Sequence, residues 1–267
     1  MPATEKPTNI TKRQTAIIEF VRRKGFAGIE DMAENLRVSA QTIRRDVIAL
    51  DRFRLLHRCH GGASLPAGED RLAYRNRRVR FTDEKTRIAA SVAAHIPDGA
   101  SLFIDIGTTT EAVATALLNH RGLRIITNHI TATSILCENT DFEIILTGGM
   151  VRNHDRAVTG EATSEFLRRF RVEFAVFGIG AIDHEGQLLD YDYRDVHVSQ
   201  AAMEISRRKL VVADHGKFNG DAMMHMAHVS QIDAIFTDTP PSPAMAKLIH
   251  DNGVEMHIAD ITDGSGA

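Results

Sequence analysis

The sequence predicts an α/β protein in two parts: a small helical head closed by a β-hairpin, and a larger body built on a mostly parallel sheet. Three observations carry that prediction. Residues 9 to 63 hold three stretches of helical apolar spacing, then a short alternating segment that ends in Gly61 and Gly62. Residues 85 to 259 hold seven short apolar runs separated by helical segments. Charge divides the chain in the same place: residues 1–80 carry 17 Lys and Arg against 9 Asp and Glu, a net of +8, while the remainder carries −11 within a whole-chain −3. The boundaries that follow are a head over 1–63, a linker over 64–84 and a body over 85–267.

In the head, Ile10, Ile17, Ile18 and Val21 fall on one helical face, and Gly25 marks a stop. Ile29, Met32, Ala33 and Leu36 line a second, short helix. Ser39 then stands where an N-cap starts a third, with Ile43, Val47 and Leu50 at i, i+4 and i+7. Ser39, Gln41, Thr42, Arg44 and Arg45 lie at the start of that third helix, off its apolar stripe. Two short helices joined by a tight turn, the second presenting hydroxyls, an amide and arginines at its N-terminal end, suit a helix-turn-helix that reads a major groove in double-stranded operator DNA. Arg44 and Arg45 point about 100° apart, so one can hold a phosphate or a guanine edge while the other reaches the flanking backbone. The segment RFRLLHRCHGGA reads as a hairpin wing whose Arg54 and Arg58 meet phosphates. His57, Cys59 and His60 lack the second ligand pair of a zinc site, so no metal is expected. The arginines at 75, 77, 78 and 80 either extend the DNA footprint or solvate the linker.

The seven runs of the body are ASLFIDI, LRIITN, FEIILTGG, FAVFGIG, KLVVAD, DAIFTD and VEMHIAD. Polar residues collect where these runs end: Asp105, Thr127, Asn128, Gly148, Gly149, Gly178, Asp214 and Asp238. In an open α/β sheet of the Rossmann-like kind the carboxyl ends of the strands form the ligand crevice, so one polar pocket assembled from distant segments is expected. The run IDIGTTTEAVATALL is the most informative. Gly107 allows close backbone approach, and Thr108, Thr109 and Thr110 open a helix whose free amides and partial positive charge suit a phosphate. A single capping threonine is the plainer account, and it explains one hydroxyl rather than three. Lys217 and Arg152 are candidate cations for the same anion, or ordinary solvated charges. GIGAID lacks the third glycine of a dinucleotide fingerprint, HEGQLL after it reads as a turn, and no Gly-Lys-Ser/Thr loop is present, so no nucleotide cofactor is expected.

Two cysteines in 267 residues make no disulfide framework, no apolar run is long enough to span a bilayer, and MPATEKPTN lacks the apolar core of a secretory signal; a cytoplasmic protein with no membrane partner is the expectation. An alternative function is a sugar-phosphate enzyme with the head as accessory, using Asp105, Asp183 or Asp214 with Lys217 as acid and base.

The motifs SAQTIRRDVIAL, RCHGGA, FIDIGTTTEAVATALLNH, RIITNH, TGGMVRNHD, TGEAT and DHGKF, spread over residues 12 to 258, resemble the DeoR family of bacterial repressors. The resemblance implies a sensor body similar in fold to sugar-phosphate isomerases and a homo-oligomer, a dimer or a tetramer. LLDYDYRDV and TTTEAVATALLNH look like the branch that represses glycerol and glycerol-phosphate genes, which implies a phosphorylated metabolite as effector, sn-glycerol 3-phosphate. Position by position, it places Gln41, Thr42, Arg44 and Arg45 in the recognition helix, and Asp105 with Gly107 to Thr110, Asn128, Arg152 and Lys217 in the effector site. The chain departs from the family pattern at Gly216, where Ser is common, at Arg156 and Ala157, where a Gly pair is common, and at Asp195, where Glu is frequent.

Overall fold

The structure, a computed structural model, describes residues 10–259 apart from 25, 54, 60, 65–73, 75, 76 and 140. Gly25, Arg54, His60, Arg75 and the side chains of His57 and Cys59, which entered the sequence reading, lie outside the described residues, as does most of the 64–84 segment. The chain forms two compact units, residues 1–76 and 77–267.

The first unit runs α1 (Lys12–Lys24), β1 (Phe26–Gly28), α2 (Ile29–Leu36), α3 (Ala40–Arg52), β2 (His57–Cys59) and β3 (Gly62–Ser64). The stripes of the three helices converge, burying Ile17, Val21, Met32, Ile43, Val47, Leu50 and Leu56 in one core. Ile10 precedes α1 and is exposed, so the first helix starts after it. Between α2 and α3 the chain reverses through Arg37, which takes the left-handed conformation at φ 52°, while Val38 N donates to Ala33 O; this closes the helix end as such caps do. Strands β2 and β3 form the expected antiparallel wing, and β1 joins it to give the order β1-β3-β2.

The second unit holds α4 (Thr82–His95), β4 (Ser101–Ile104), α5 (Thr108–Ala116), β5 (Arg124–Thr127), α6 (Ile130–Leu136), β6 (Glu143–Leu146), β7 (Met150–Arg152), β8 (Ala157–Thr159), α7 (Glu161–Leu167), β9 (Val172–Gly178), β10 (Ala181–Ile182), β11 (Gln187–Asp190), α8 (Tyr193–Ile205), β12 (Ser206–Val212), β13 (Met224–His228), β14 (Ala234–Thr237), α9 (Pro243–Asp251) and β15 (Glu255–Ile258). The helix expected to open the body begins at Thr82, inside the segment read as linker, because Asp83 and Glu84 suit the positive end of a first turn.

All seven apolar runs become strands of one parallel sheet in the order β15-β14-β12-β9-β4-β5-β6. Alternate residues serve opposite faces: Leu102, Ile104, Val176 and Phe236 meet α4, α5 and α6, while Phe103, Phe177, Val211 and Ile235 meet α8 and α9. Burial of both faces is why these strands read as continuous apolar runs. Strand order reverses between β4 and β9, so the crevice of this sheet opens where Gly107 and Gly178 sit. A β7–β8 ribbon and an antiparallel β10-β11-β13 sheet complete the unit. GIGAID therefore leads into a β-hairpin, not into the helix that a dinucleotide fingerprint requires.

Candidate DNA interface and effector site

In the first unit, α3 is built for its N-terminal end to face outward. Ser39 caps it, its Oγ accepting from Thr42 N at 3.2 Å and lying 2.9 Å from Thr42 Oγ1. Gln41, Arg44, Arg45 and Arg58 are exposed and Thr42 is half-buried. Arg44 makes a solvent-exposed pair with Glu30 at 3.0 Å, and Arg58 N donates to Asp51 Oδ1. Asp46, beside the two arginines in sequence, belongs to neither. It is buried and accepts from Arg13 Nε at 2.6 Å and Gln14 Nε2 at 3.3 Å, tying α1 to α3. The charge of Arg45 is left without a partner among the described residues, which is the arrangement an external polyanion exploits.

In the second unit, β4 ends at Asp105 and the chain crosses the switch point through Gly107. Gly107 stands at φ +141°, a conformation that favours glycine, and a Cβ on neighbouring Gly178 would come within 2.9 Å of Ile106 O. Two glycines thus let the loops after β4 and β9 touch. The amides of Gly107, Thr108, Thr109 and Thr110 make no backbone hydrogen bond outside regular elements among the described residues, and they open α5 without a side-chain cap. Thr108 is half-exposed and Thr109 buried. Thr110 departs from the expectation: its hydroxyl is fully buried and donates to Gly107 O at 2.8 Å, holding the loop's shape instead of facing an anion.

Behind this loop lies a polar floor. Asp105 is buried, accepts from Ile106 N at 2.8 Å and from Ser199 Oγ at 2.6 Å, and neighbours Asn128. Burial pushes its carboxyl up to about 7, against hydrogen bonds from Ser199, Ile106 and Asn128 that pull it down. Asn128 is itself buried, with Oδ1 unpaired.

Arg152 differs from a free cation. Its guanidinium donates to Asp155 at 3.0 and 2.6 Å, to Asp192 at 2.8 Å and to Asp195 at 2.7 Å, with only 9% of the side chain exposed. Burial lowers its pKa, yet Asp155 and Asp195 outweigh that and raise it. Asp155 is held below the carboxylate range by Arg152 despite its own burial, whereas burial pushes Asp195 well up. Arg152 is therefore the keystone of an acidic cluster and has little capacity left for an outside anion. Lys217 is half-buried, with Nζ donating to Gly180 O at 3.3 Å, two residues past the Gly178 that meets Gly107. Burial lowers its pKa, opposed by Asp214 and Asp190. Asp183 binds the amides of Glu185 and Gln187 in the β10–β11 turn, a structural duty that removes it from the acid–base set.

The residues missed from sequence are the partners Ser199, Asp155, Asp192 and Asp190, while Asp195 stood out only as a departure from the family pattern. Spacing offered one signal, since Asp195 and Ser199 stand one helical turn apart on α8 and share its buried face.

Two family models match the chain, one described as the DeoR-like helix-turn-helix domain over residues 13–68 and one as the DeoR C terminal sensor domain over residues 80–239. The glycerol-3-phosphate regulon repressor of Escherichia coli (strain K12) is 44% identical over 248 residues, 93% of this chain and 98% of that protein. The protein of the same name from Haemophilus influenzae is 45% identical over 229 residues, 86% and 89% of the two chains. Among solved structures, ribose 5-phosphate isomerase A from Methanocaldococcus jannaschii overlaps with a TM-score of 0.38 at 14% identity, over 52% of this chain and 55% of that one.

Proposed function

The chain belongs to the DeoR family of DNA-binding transcriptional repressors and is a regulator, not an enzyme; on that premise we propose that it represses genes of glycerol and glycerol 3-phosphate metabolism and leaves its operator when it binds a phosphorylated small metabolite, sn-glycerol 3-phosphate. Ser39, Gln41, Thr42, Arg44 and Arg45 read the major groove and Arg58 of the wing holds backbone phosphate. The protein acts in the cytoplasm as a homo-oligomer, a dimer or tetramer, so that paired heads meet spaced half-sites.

The observation that carries the effector reading is the row of free amides at Gly107 to Thr110, set at the switch point of the sheet with Lys217 beside it. A phosphate dianion accepts from those amides and from the hydroxyls of Thr108 and Thr109. Lys217 supplies charge, while Asp105 and Asn128, steadied by Ser199, meet the polyol hydroxyls. Thr110 shapes the loop and Arg152 braces the acidic wall. The name shared by relatives 44% and 45% identical supports glycerol 3-phosphate as the polyol.

Fluorescence anisotropy on DNA from upstream of glycerol 3-phosphate genes tests this. Binding is expected to weaken with salt by about 0.9 in log–log slope for each phosphate contact, and to weaken again when sn-glycerol 3-phosphate is added. Operator binding indifferent to that ester would overturn the effector assignment.

A further inference from the structure

The sensor unit starts at Arg77, and its first five residues form a strap held at three points. Lys85, buried on α4, turns its ammonium back onto the carbonyl oxygens of Arg77 and Arg80. Arg78 Nε lies 3.1 Å from Glu111 Oε2, and Glu111 is buried in the first turn of α5, directly after Thr110. The third point is Phe81, whose ring sits 4.4 Å from that of His215, edge to face, above Gly216. A Cβ at position 216 would stand 3.0 Å from Phe81 Cε2, so the glycine lets the ring come down. His215 is in turn fixed by Asp238, Nδ1 to Oδ2 at 2.6 Å. Phe81 holds a left-handed φ of 56°, a conformation that persists in a bulky residue only where the surroundings impose it.

The two landing places of the strap are the two loops of the effector site. Glu111 belongs to the helix whose first amides are the phosphate candidates, and Gly216 adjoins Lys217. Electrostatics gives the arrangement a sign. Arg77, Arg80 and Lys85 lie close enough to Lys217 for like charges to oppose one another. A dianion among these cations relieves that repulsion, so it binds better when the strap is seated than when it is loose. The strap's other end is covalently continuous with the DNA-binding unit, which ends at residue 76.

We propose that the strap Arg77–Phe81 transmits effector binding to the head: capture of the phosphate tightens its seat on Glu111 and Gly216, and the tightened strap lowers the affinity of the head for the operator. This rests on the effector reading above. The test uses the full-length chain, wild type beside the double variant Arg78→Gln, Phe81→Ala, and reads operator anisotropy with and without saturating sn-glycerol 3-phosphate, together with calorimetry of the ester alone. Wild type is expected to lose operator affinity roughly 5- to 150-fold on adding the ester. The double variant keeps its operator affinity within about threefold and binds the ester more weakly by about the factor that wild type loses on the operator, and at saturating ester its operator loss shrinks below about twofold, because the coupling is reciprocal. Glu111→Gln, nearly isosteric, gives the same reading from the other side of the contact should the double variant fold poorly. A folded variant of either kind that binds the ester and still releases DNA as fully as wild type overturns the strap. A wild-type chain that ignores the ester overturns the effector assignment and, with it, the strap.

Discussion

Arginine is put to opposite uses in the two units. In the head, Arg44, Arg45 and Arg58 stand exposed, and the acid nearest Arg44 and Arg45 in sequence, Asp46, is spent on Arg13. In the sensor unit Arg152 is buried and shared among Asp155, Asp192 and Asp195. The contrast shows how environment assigns a role to one chemistry. An exposed guanidinium in high dielectric contributes little to the fold, and its charge stays available for a polyanion. A desolvated one is costly unless fully paired, and once paired it becomes part of the architecture.

Loss of the buried guanidinium costs the fold most. Arg152→Ala leaves the buried Asp155 and Asp195 without their guanidinium while Asp192 keeps Arg194, and urea denaturation at neutral pH is expected to show a loss of about 3–5 kcal/mol, the usual cost of removing one partner from a buried ionic cluster. An unchanged midpoint would mean that the cluster is wetter than its burial indicates. Next comes Asp105, whose folded carboxyl titrates near 7, above the ordinary value of about 3.9 for the unfolded chain. A raised acid stabilises the fold below its unfolded pKa, and that contribution is lost as pH rises through the folded value, at about 1.4 kcal/mol for each unit of separation. Stability therefore contains a component that falls between about pH 4 and 7, and Asp105→Asn is expected to flatten it; equal slopes in parallel melts of the two proteins would refute the assignment.

The exposed half is sharpened by smaller changes. Arg45→Ala is expected to weaken operator binding by about 1–3 kcal/mol and to leave the melting temperature unmoved, since the side chain has no partner to lose among the described residues. A destabilised fold with intact DNA affinity would reverse its role. Smallest is Ser39→Ala, which removes the cap of α3 and is expected to cost about 1 kcal/mol in the head, visible by thermal denaturation.

Legibility in the sequence followed the same division. The seven sheet strands were readable because a parallel sheet buried on both faces must be written in apolar residues, α2 by its apolar stripe alone, and α3 because stripe and cap agree on one boundary. β10, with two residues, and β13, with histidines at both ends of its Met-Ala run, present no such period, and they were missed. At the switch point of the sheet, Asp105, Gly107 and Asn128 were legible as polar ends of apolar strands. Their partners were not. Ser199 is 94 residues from Asp105, and the carboxylates on Arg152 come from 3, 40 and 43 residues away, pairings that only the folded topology brings together. Thr110 shows the reverse error: three hydroxyls in a row suggested three donors to a ligand, but the helix turn carries the third inward.

If backbone amides at the start of α5 hold the effector's phosphate, hydrogen–deuterium exchange reads it at those amides themselves. On adding sn-glycerol 3-phosphate to the full-length protein, exchange at Gly107 to Thr110 is expected to slow more than anywhere else in the sensor unit. Protection that leaves these four amides untouched and appears at another strand end would contradict it.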